Sequence, residues 1–159
     1  MPDAAPFIST PMTVEPEWTD YNGHMNMAYY NVLFDRGLDQ VYGKLGVDAA
    51  YVRERRLTIY TAEIHVCYVR ELHEGDQVTV SSQILDHDEK RLHTYQEIHH
   101  LDGWLAATSE TLSLHIDMAG PKVTPFPPDR LAAIEEMREA QSELPLPERA
   151  GRRIAITRK

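Results

Sequence analysis

The stretch Trp18-Thr19-Asp20-Tyr21-Asn22-Gly23-His24-Met25-Asn26-Met27 joins a predicted short strand, residues 12–18, to a long helical pattern. It is polar and turn-forming, and it brings a carboxylate, a glycine, a histidine and two asparagines to the point where a helix begins. The first turn of a helix leaves backbone N–H groups unpaired and carries a partial positive charge. A carboxylate next to such donors favours acyl-transfer chemistry, so Asp20 is the first candidate catalytic residue.

The helical pattern spans residues 26–43, where apolar side chains recur at spacings of three and four and so form one face. Asn26 is a predicted N-cap, and Gly43 with Gly46 supplies the stop. Gly37 lies inside the pattern. It is either a tolerated glycine or a place where another backbone comes close, and the sequence does not decide between the two.

Four long alternating segments follow, and they predict consecutive antiparallel strands over residues 57–70, 77–86, 92–101 and 104–118. Residues 47–56 are interpreted as a link, and residues 129–142 as an amphipathic helix. One long helix followed by a meander of strands predicts an α+β layer architecture. Long strands and a single helix leave sheet edge uncovered, which favours pairing with a second copy of the chain.

The length of 159 residues suits one domain, for which we predict a flexible lead-in at 1–11, the domain itself at 12–142 and a mobile tail at 143–159. A formal net charge of −9 argues against nucleic acid as the main partner. A single cysteine, Cys67, favours a reducing compartment. No signal-peptide pattern and no long apolar run is present, so we expect a cytoplasmic protein without a membrane segment.

The sequence lacks the motifs of several other kinds of enzyme. No nucleophile elbow, phosphate-binding loop or dinucleotide fingerprint is present. The eight histidines do not fall into a metal-ligand pattern, and His65 with Cys67 supplies only two possible ligands, so we predict no metal. Cys67 lies in the middle of a strand, where a buried structural thiol is usual. Asp20 itself has an alternative interpretation as an ordinary helix-entry carboxylate.

The run from Asp20 to Asn26, followed by Tyr29, Tyr30 and Phe34, resembles the signature of hotdog-fold acyl-CoA thioesterases of the 4-hydroxybenzoyl-CoA thioesterase type. The resemblance covers about residues 12–135. With Pro16-Glu17-Trp18 before it, the motif looks most like thioesterases of carnitine and betaine catabolism, which act on betainyl-CoA-like thioesters. The resemblance implies a sheet wrapped around one long central helix, with active sites between two subunits.

The resemblance also implies roles for individual residues. Asp20 falls on the catalytic carboxylate, and Met27 falls where a backbone N–H polarises the thioester carbonyl. The remaining motif positions are predicted to bind substrate: Asn22, Gly23, His24, Asn26 and Tyr30. Many relatives carry a second acidic residue where this chain has Trp18, and an indole provides neither acid nor base. Trp18 is therefore expected to pack or to form one wall of a cation-binding box.

The expected function is hydrolysis of an acyl-CoA, either betainyl-CoA or another short acyl-CoA, to free acid and coenzyme A. Asp20 would attack the carbonyl or activate water, and no cofactor is expected. The expected assembly is a homodimer with active sites at the interface, or a dimer of such dimers. The alternatives are a non-catalytic module that binds or senses acyl-CoA and a hotdog dehydratase, although the dehydratase motif fits poorly.

Two subsites stay open at this point. The aromatic residues are numerous enough for a cage around a trimethylammonium head, although most of them are expected in the core. The candidates are Trp18, Tyr21, Tyr29, Tyr30, Tyr60, Tyr68 and Trp104. The CoA phosphates need positive charge, for which Lys90 with Arg91 and the cluster Arg53, Arg55 and Arg56 are the candidates.

Overall fold

The computed structural model describes residues 4–159. Its strands are β1 (Phe7–Ile8), β2 (Met12–Thr13), β3 (Leu57–Tyr68), β4 (Gln77–His87), β5 (Arg91–His100), β6 (Leu105–Asp117) and β7 (Lys122–Val123). Its α-helices are α1 (Met27–Leu45), α2 (Ala49–Arg55) and α3 (Pro128–Ala140), and a short 3-10 helix covers Pro16–Trp18. The four long strands and the long helix lie where the sequence predicts them.

The strands form one antiparallel sheet in the order β1-β4-β5-β6-β3, with β2 also paired to β4 and β7 to β6. Helix α1 lies against one face of this sheet, and its buried residues share the core with β4, β5 and β6. This arrangement confirms the predicted α+β class and the hotdog fold. Strand β3 stands at an edge of the sheet, bonded only to β6 among the described strands.

Gly37 lies where α1 comes close to β4 of the sheet. A Cβ atom built on Gly37 would lie 2.7 Å from Cγ1 of Val80 and 2.8 Å from its Cβ. Carbon atoms do not approach so closely without repulsion, so only glycine lets the helix reach β4 here. The structure therefore favours close approach at Gly37, although the close neighbour is the Val80 side chain and not the expected backbone.

The predicted start of α1 is confirmed, whereas the helix continues two residues beyond the predicted end at Gly43, to Leu45. The Asn26 side-chain oxygen accepts the Ala28 N–H at 3.0 Å, which is an N-cap bond. At the other end Gly46 adopts the left-handed conformation with φ of 72°. This conformation ends the helix, and glycine adopts it without strain.

Two predicted segments were wrong in detail. Residues 12–18 are not one strand: after the two-residue β2 the chain turns into the 3-10 helix at Pro16, whose ring fixes a helical φ and removes a ladder donor. Residues 47–56 are more than a link, because they contain α2. The Asp48 side chain caps this helix by accepting the N–H groups of Ala50 and Tyr51 at 3.1 and 3.3 Å.

The predicted lead-in and tail both touch the sheet. Phe7 and Ile8 pair with Ser82 and Ser81 of β4. In the tail, the Gly151 N–H donates to the carboxylate of Glu110 on β6, at 2.7 and 2.9 Å from its two oxygens. The boundaries at 11 and 142 stay predictions. Within residues 4–159, no helix is both long enough and apolar enough to cross a membrane.

Candidate active site

The loop before α1 is a closed turn held by backbone hydrogen bonds. The Gly23 N–H donates to the Asp20 carbonyl at 3.0 Å, and the Asn26 N–H donates to the Trp18 carbonyl at 2.9 Å. Gly23 has a φ of 81°, which a residue with a side chain rarely adopts. The Met25 N–H donates to the Leu72 carbonyl at 2.7 Å and so ties the loop to the segment after β3.

The Asp20 carboxylate is held by two donors from this same loop. Its Oδ1 accepts the Asn22 N–H and its Oδ2 accepts the Asn26 side-chain amide, both at 2.8 Å. The Asn26 bond, followed by the Asn22 bond, holds the pKa of Asp20 below its usual value of 3.8. Hydrogen bonds to a carboxylate favour its charged form, so Asp20 is an anion over the neutral pH range.

Asn26 joins this carboxylate to the helix. Its amide nitrogen donates to Asp20, while its amide oxygen caps α1 through the Ala28 N–H. One side chain therefore sets the position of the anion relative to the first helical turn. The carboxylate is therefore held rigidly relative to the helix start, and an acyl-transfer site needs such fixed geometry.

The Met27 N–H is an unused donor at the start of α1. The neighbouring N–H groups of Ala28 and Tyr29 are taken by the side chain and the carbonyl of Asn26. No acceptor within residues 4–159 takes the Met27 N–H. Such a donor, with the positive end of the helix dipole behind it, is suited to a developing oxyanion.

A cavity of about 220 Å³ lies beside the start of α1. It is lined by the loop, the first turn of the helix and the end of β3 with the segment that follows, through His24, Met25, Met27, Tyr30, Tyr68, Val69, Arg70 and Glu71. Of the predicted site residues, His24, Met27 and Tyr30 line it. Asp20, Asn22, Gly23 and Asn26 form the adjoining loop instead.

Arg70 and Glu71 are site residues that the sequence reasoning missed. No motif marks them, because they enter the cavity only through the bond between Met25 and Leu72 that brings their segment to the loop. The Glu71 carboxylate lies 3.6 Å from Nε2 of His24 and 3.8 Å from Nε2 of His73.

Two tyrosines form an aromatic corner of the cavity. The rings of Tyr30 and Tyr68 meet edge to face, with centroids 5.0 Å apart. The Tyr68 hydroxyl donates to the Met27 carbonyl at 3.1 Å, and the Tyr30 hydroxyl accepts the Leu72 N–H at 3.1 Å. Burial raises the pKa of both phenols, so both rings stay neutral.

Three other aromatic candidates for a cage, Trp18, Tyr29 and Trp104, are packed against other groups of the chain. Trp18 is buried, stacks on Tyr29 and has the Arg36 guanidinium 5.1 Å from its ring centroid, so packing is the outcome for Trp18. The Trp104 ring contacts two groups of this chain: the Arg70 guanidinium lies 4.0 Å from its centroid, and the His100 ring stacks on it with centroids 4.7 Å apart.

Three of the predicted phosphate-binding cations, Arg55, Arg91 and Lys90, have carboxylate partners. Arg55 donates twice to Asp129, at 2.9 and 2.6 Å. Arg91 is bonded to Asp88, and Lys90 lies 3.6 Å from Glu89. These pairs are surface ion pairs, which are weak and exchangeable, so the structure does not select a phosphate site among them.

Other chemistry finds little support in the part of the chain that the structure describes. No three His, Cys, Asp or Glu side chains there converge as metal ligands, and Cys67 Sγ lies 3.7 Å from His65 Nε2 without further ligands. A larger cavity of about 650 Å³ lies over Glu63, His93 and Glu110, on the sheet face turned away from α1. It contains no residue of the motif.

Comparison with known proteins gives a consistent result. The family model of the thioesterase-like superfamily matches residues 14–134. The chain is 38% identical to betainyl-CoA thioesterase of Pseudomonas aeruginosa, over 90% of this chain and 91% of that protein. It is 36% identical to L-carnitine dehydrogenase/betainyl-CoA thioesterase of Rhizobium meliloti, over 91% of this chain but 29% of that longer protein.

Among solved structures, a Staphylococcus aureus protein in complex with CoA superposes with a TM-score of 0.89 and 31% identity. The match covers 98% of both chains. Because it covers 98% of this chain, the structural match includes the strands of the sheet and the C-terminal helix as well as the motif. The resemblance that the motif indicated is therefore one of the whole chain.

Proposed function

The chain belongs to the thioesterase-like superfamily and is an acyl-CoA thioesterase, and from this premise we propose that it hydrolyses betainyl-CoA at the start of α1. The observation that carries the proposed site is the unused Met27 N–H at the end of a loop that holds the Asp20 carboxylate by two hydrogen bonds. The name of the Pseudomonas aeruginosa relative supports the choice of acyl group.

In the proposed reaction the thioester carbonyl oxygen accepts the Met27 N–H. Asp20 then either attacks the carbonyl carbon, forming an anhydride that water cleaves, or removes a proton from an attacking water. As the tetrahedral intermediate forms, charge accumulates on the oxygen that faces the helix start. The CoA thiolate leaves without needing a strong general acid, and the products are the free acid and CoA.

Asn22, Gly23, His24, Asn26 and Tyr30 support this chemistry in different ways. Asn22 and Asn26 hold Asp20 in place by hydrogen bonds. Gly23 is exposed, and no atom lies within 4 Å of a Cβ built on it, so substrate has room there. His24 and Tyr30 are walls of the cavity.

The proposed assembly is a homodimer, or a dimer of dimers, with the sites near the interface. The edge strand β3 supports this proposal. It exposes Tyr60, Ile64 and Tyr68 at 48%, 47% and 45%, together with one unpaired row of backbone groups. The β3 strand of a second subunit would cover these side chains and pair with these backbone groups. Strand β3 also ends at the cavity, because Tyr68 lines it.

The single cysteine supports a reducing compartment, and we propose the cytoplasm.

Release of free thiol from a panel of acyl-CoA thioesters tests the function. The panel contains betainyl-CoA, acetyl-CoA, butyryl-CoA and a long-chain acyl-CoA, and thiol is followed with a chromogenic reagent. The highest kcat/KM is expected for betainyl-CoA. A higher value for a neutral short acyl-CoA would contradict the acyl assignment, and intact binding without thiol from any thioester would favour the acyl-CoA sensor.

A further inference from the structure

We propose that the cavity beside the start of α1 holds the quaternary ammonium of the acyl group between Tyr30, Tyr68 and the Glu71 carboxylate. This inference rests on the proposed hydrolysis of a betainyl thioester and assigns its specificity to residues. Glu71 is the new member, since it lies outside the motif.

Position is the first argument. In a betainyl thioester one methylene separates the carbonyl carbon from the ammonium nitrogen, so the cation must lie next to the oxyanion donor. Met27, whose N–H is that donor, is itself a wall of the cavity. An apolar cavity of about 150 Å³ takes up benzene. The 220 Å³ beside Met27 is therefore large enough for a trimethylammonium group.

The aromatic walls are the second argument. Quaternary ammonium groups bind against the faces of aromatic rings. Trp18 and Trp104 already have arginines of this chain against their rings, and Tyr21 is 97% exposed. Tyr30 and Tyr68 are the candidates that line the cavity, and their edge-to-face pair fixes both rings.

Charge is the third argument. The carboxylate of Glu71 has two histidines as its neighbours, His24 and His73, and no lysine or arginine of residues 4–159 forms an ion pair with it. Arg70 also lines the cavity, but its guanidinium lies 4.0 Å from the Trp104 ring centroid, where it is held by a cation–π contact. A carboxylate and two ring systems thus border the place where the cation must sit.

The experiment compares betainyl-CoA with 3,3-dimethylbutyryl-CoA, in which a quaternary carbon replaces the nitrogen and only the charge differs. The ratio of their kcat/KM values measures recognition of charge. Glu71→Gln is expected to lower this ratio by about tenfold, and Tyr68→Leu by about three- to tenfold. Glu74→Gln, which removes an exposed carboxylate of the same segment outside the cavity, should leave the ratio unchanged.

Binding separates this inference from the proposed hydrolysis. Calorimetry on Asp20→Asn protein, with and without Glu71→Gln, needs no turnover. Tighter binding of betainyl-CoA than of its isostere, with the difference lost in Glu71→Gln, supports the cavity even if the wild type releases no thiol. Equal affinity for the two thioesters, or a ratio that Glu71→Gln leaves intact, overturns the assignment. Normal folding of each variant is checked by its thermal transition.

Discussion

The two ends of α1 differ in how their backbone groups are satisfied. At the C-terminal end the Leu45 carbonyl accepts Arg130 at 2.9 Å, and the Tyr42 carbonyl accepts the Val47 N–H at 2.9 Å. At the N-terminal end no group of residues 4–159 accepts the Met27 N–H, and Met27 lines the cavity. One end of the helix is closed by packing, whereas the other keeps a donor available.

The two ends of α1 also differ in how closely other elements pack around them. The C-terminal half is packed by α2, α3 and β5 around Leu38, Val41 and Leu45. There the buried His115 accepts the Tyr51 hydroxyl at 2.8 Å and donates to the Thr124 carbonyl at 2.9 Å, so that its polar atoms are used up. The comparison teaches that one helix serves as core at one end and as binding site at the other.

The largest effect is expected at the open end, for Asp20→Asn. Loss of the anion should lower kcat by about 100- to 10,000-fold, because the amide neither attacks nor takes a proton. Thiol release at saturating substrate measures it. The control is Asp48→Asn, the same change at the N-cap of α2, where asparagine caps as well as aspartate. Near-normal turnover of Asp20→Asn would show that the carboxylate is only a turn residue.

The next effect concerns the packed middle of the helix. Gly37→Ala should lower the free energy of unfolding by about 1–2 kcal/mol, since the clash with Val80 outweighs the better helix propensity of alanine. Gly43→Ala should instead raise it by up to about 1 kcal/mol, because no atom lies within 4 Å of the added Cβ. Urea unfolding of the two variants and the wild type measures both changes in the free energy of unfolding. Stabilisation by both alanines would refute close packing at Gly37.

Asn26→Ala should affect both stability and the pH dependence of activity. Loss of the cap costs about 0.5–2 kcal/mol. Loss of the amide bond, the largest cause of the low pKa of Asp20, raises that pKa, so the acid limb of kcat/KM moves to higher pH. Asn22→Ala keeps its backbone bond to Asp20 and should move the limb less. If the acid side of the kcat/KM profile does not move in Asn26→Ala, the ionisation of Asp20 does not determine it.

The smallest effect is expected at His115. Burial lowers its pKa from the ordinary 6.5, so the folded protein binds fewer protons than the unfolded chain. Stability is therefore complete above the ordinary pKa and is lost as pH falls below it. His115→Gln should show a smaller drop in melting temperature between pH 7.5 and 5.5 than the wild type. An identical drop in both proteins would place the acid sensitivity elsewhere.

The sequence predicts the elements whose signal is periodic. The face of α1, the alternation of the four long strands and the cap at Asn26 are local patterns, and all are confirmed. The 3-10 helix at Pro16–Trp18 and the helix α2 were missed, because short elements depend on single caps and turns. The family resemblance supplied the hotdog fold, and the whole-chain matches confirm it.

The candidate site divides in the same way. Asp20, Gly23 and Asn26 are close in sequence, so a local motif is enough to bring their groups together at a helix start. Glu71 and Tyr68 lie more than forty residues from that motif, and only the pairing of β3 with β6 and the bond from Met25 to Leu72 place them at the cavity.

The sequence alone determined the helix, the strands and the reactive loop, because these depend on short-range periodicity and capping. The tertiary structure decided which aromatic rings stay available and which carboxylate faces them, because such contacts depend on long-range packing.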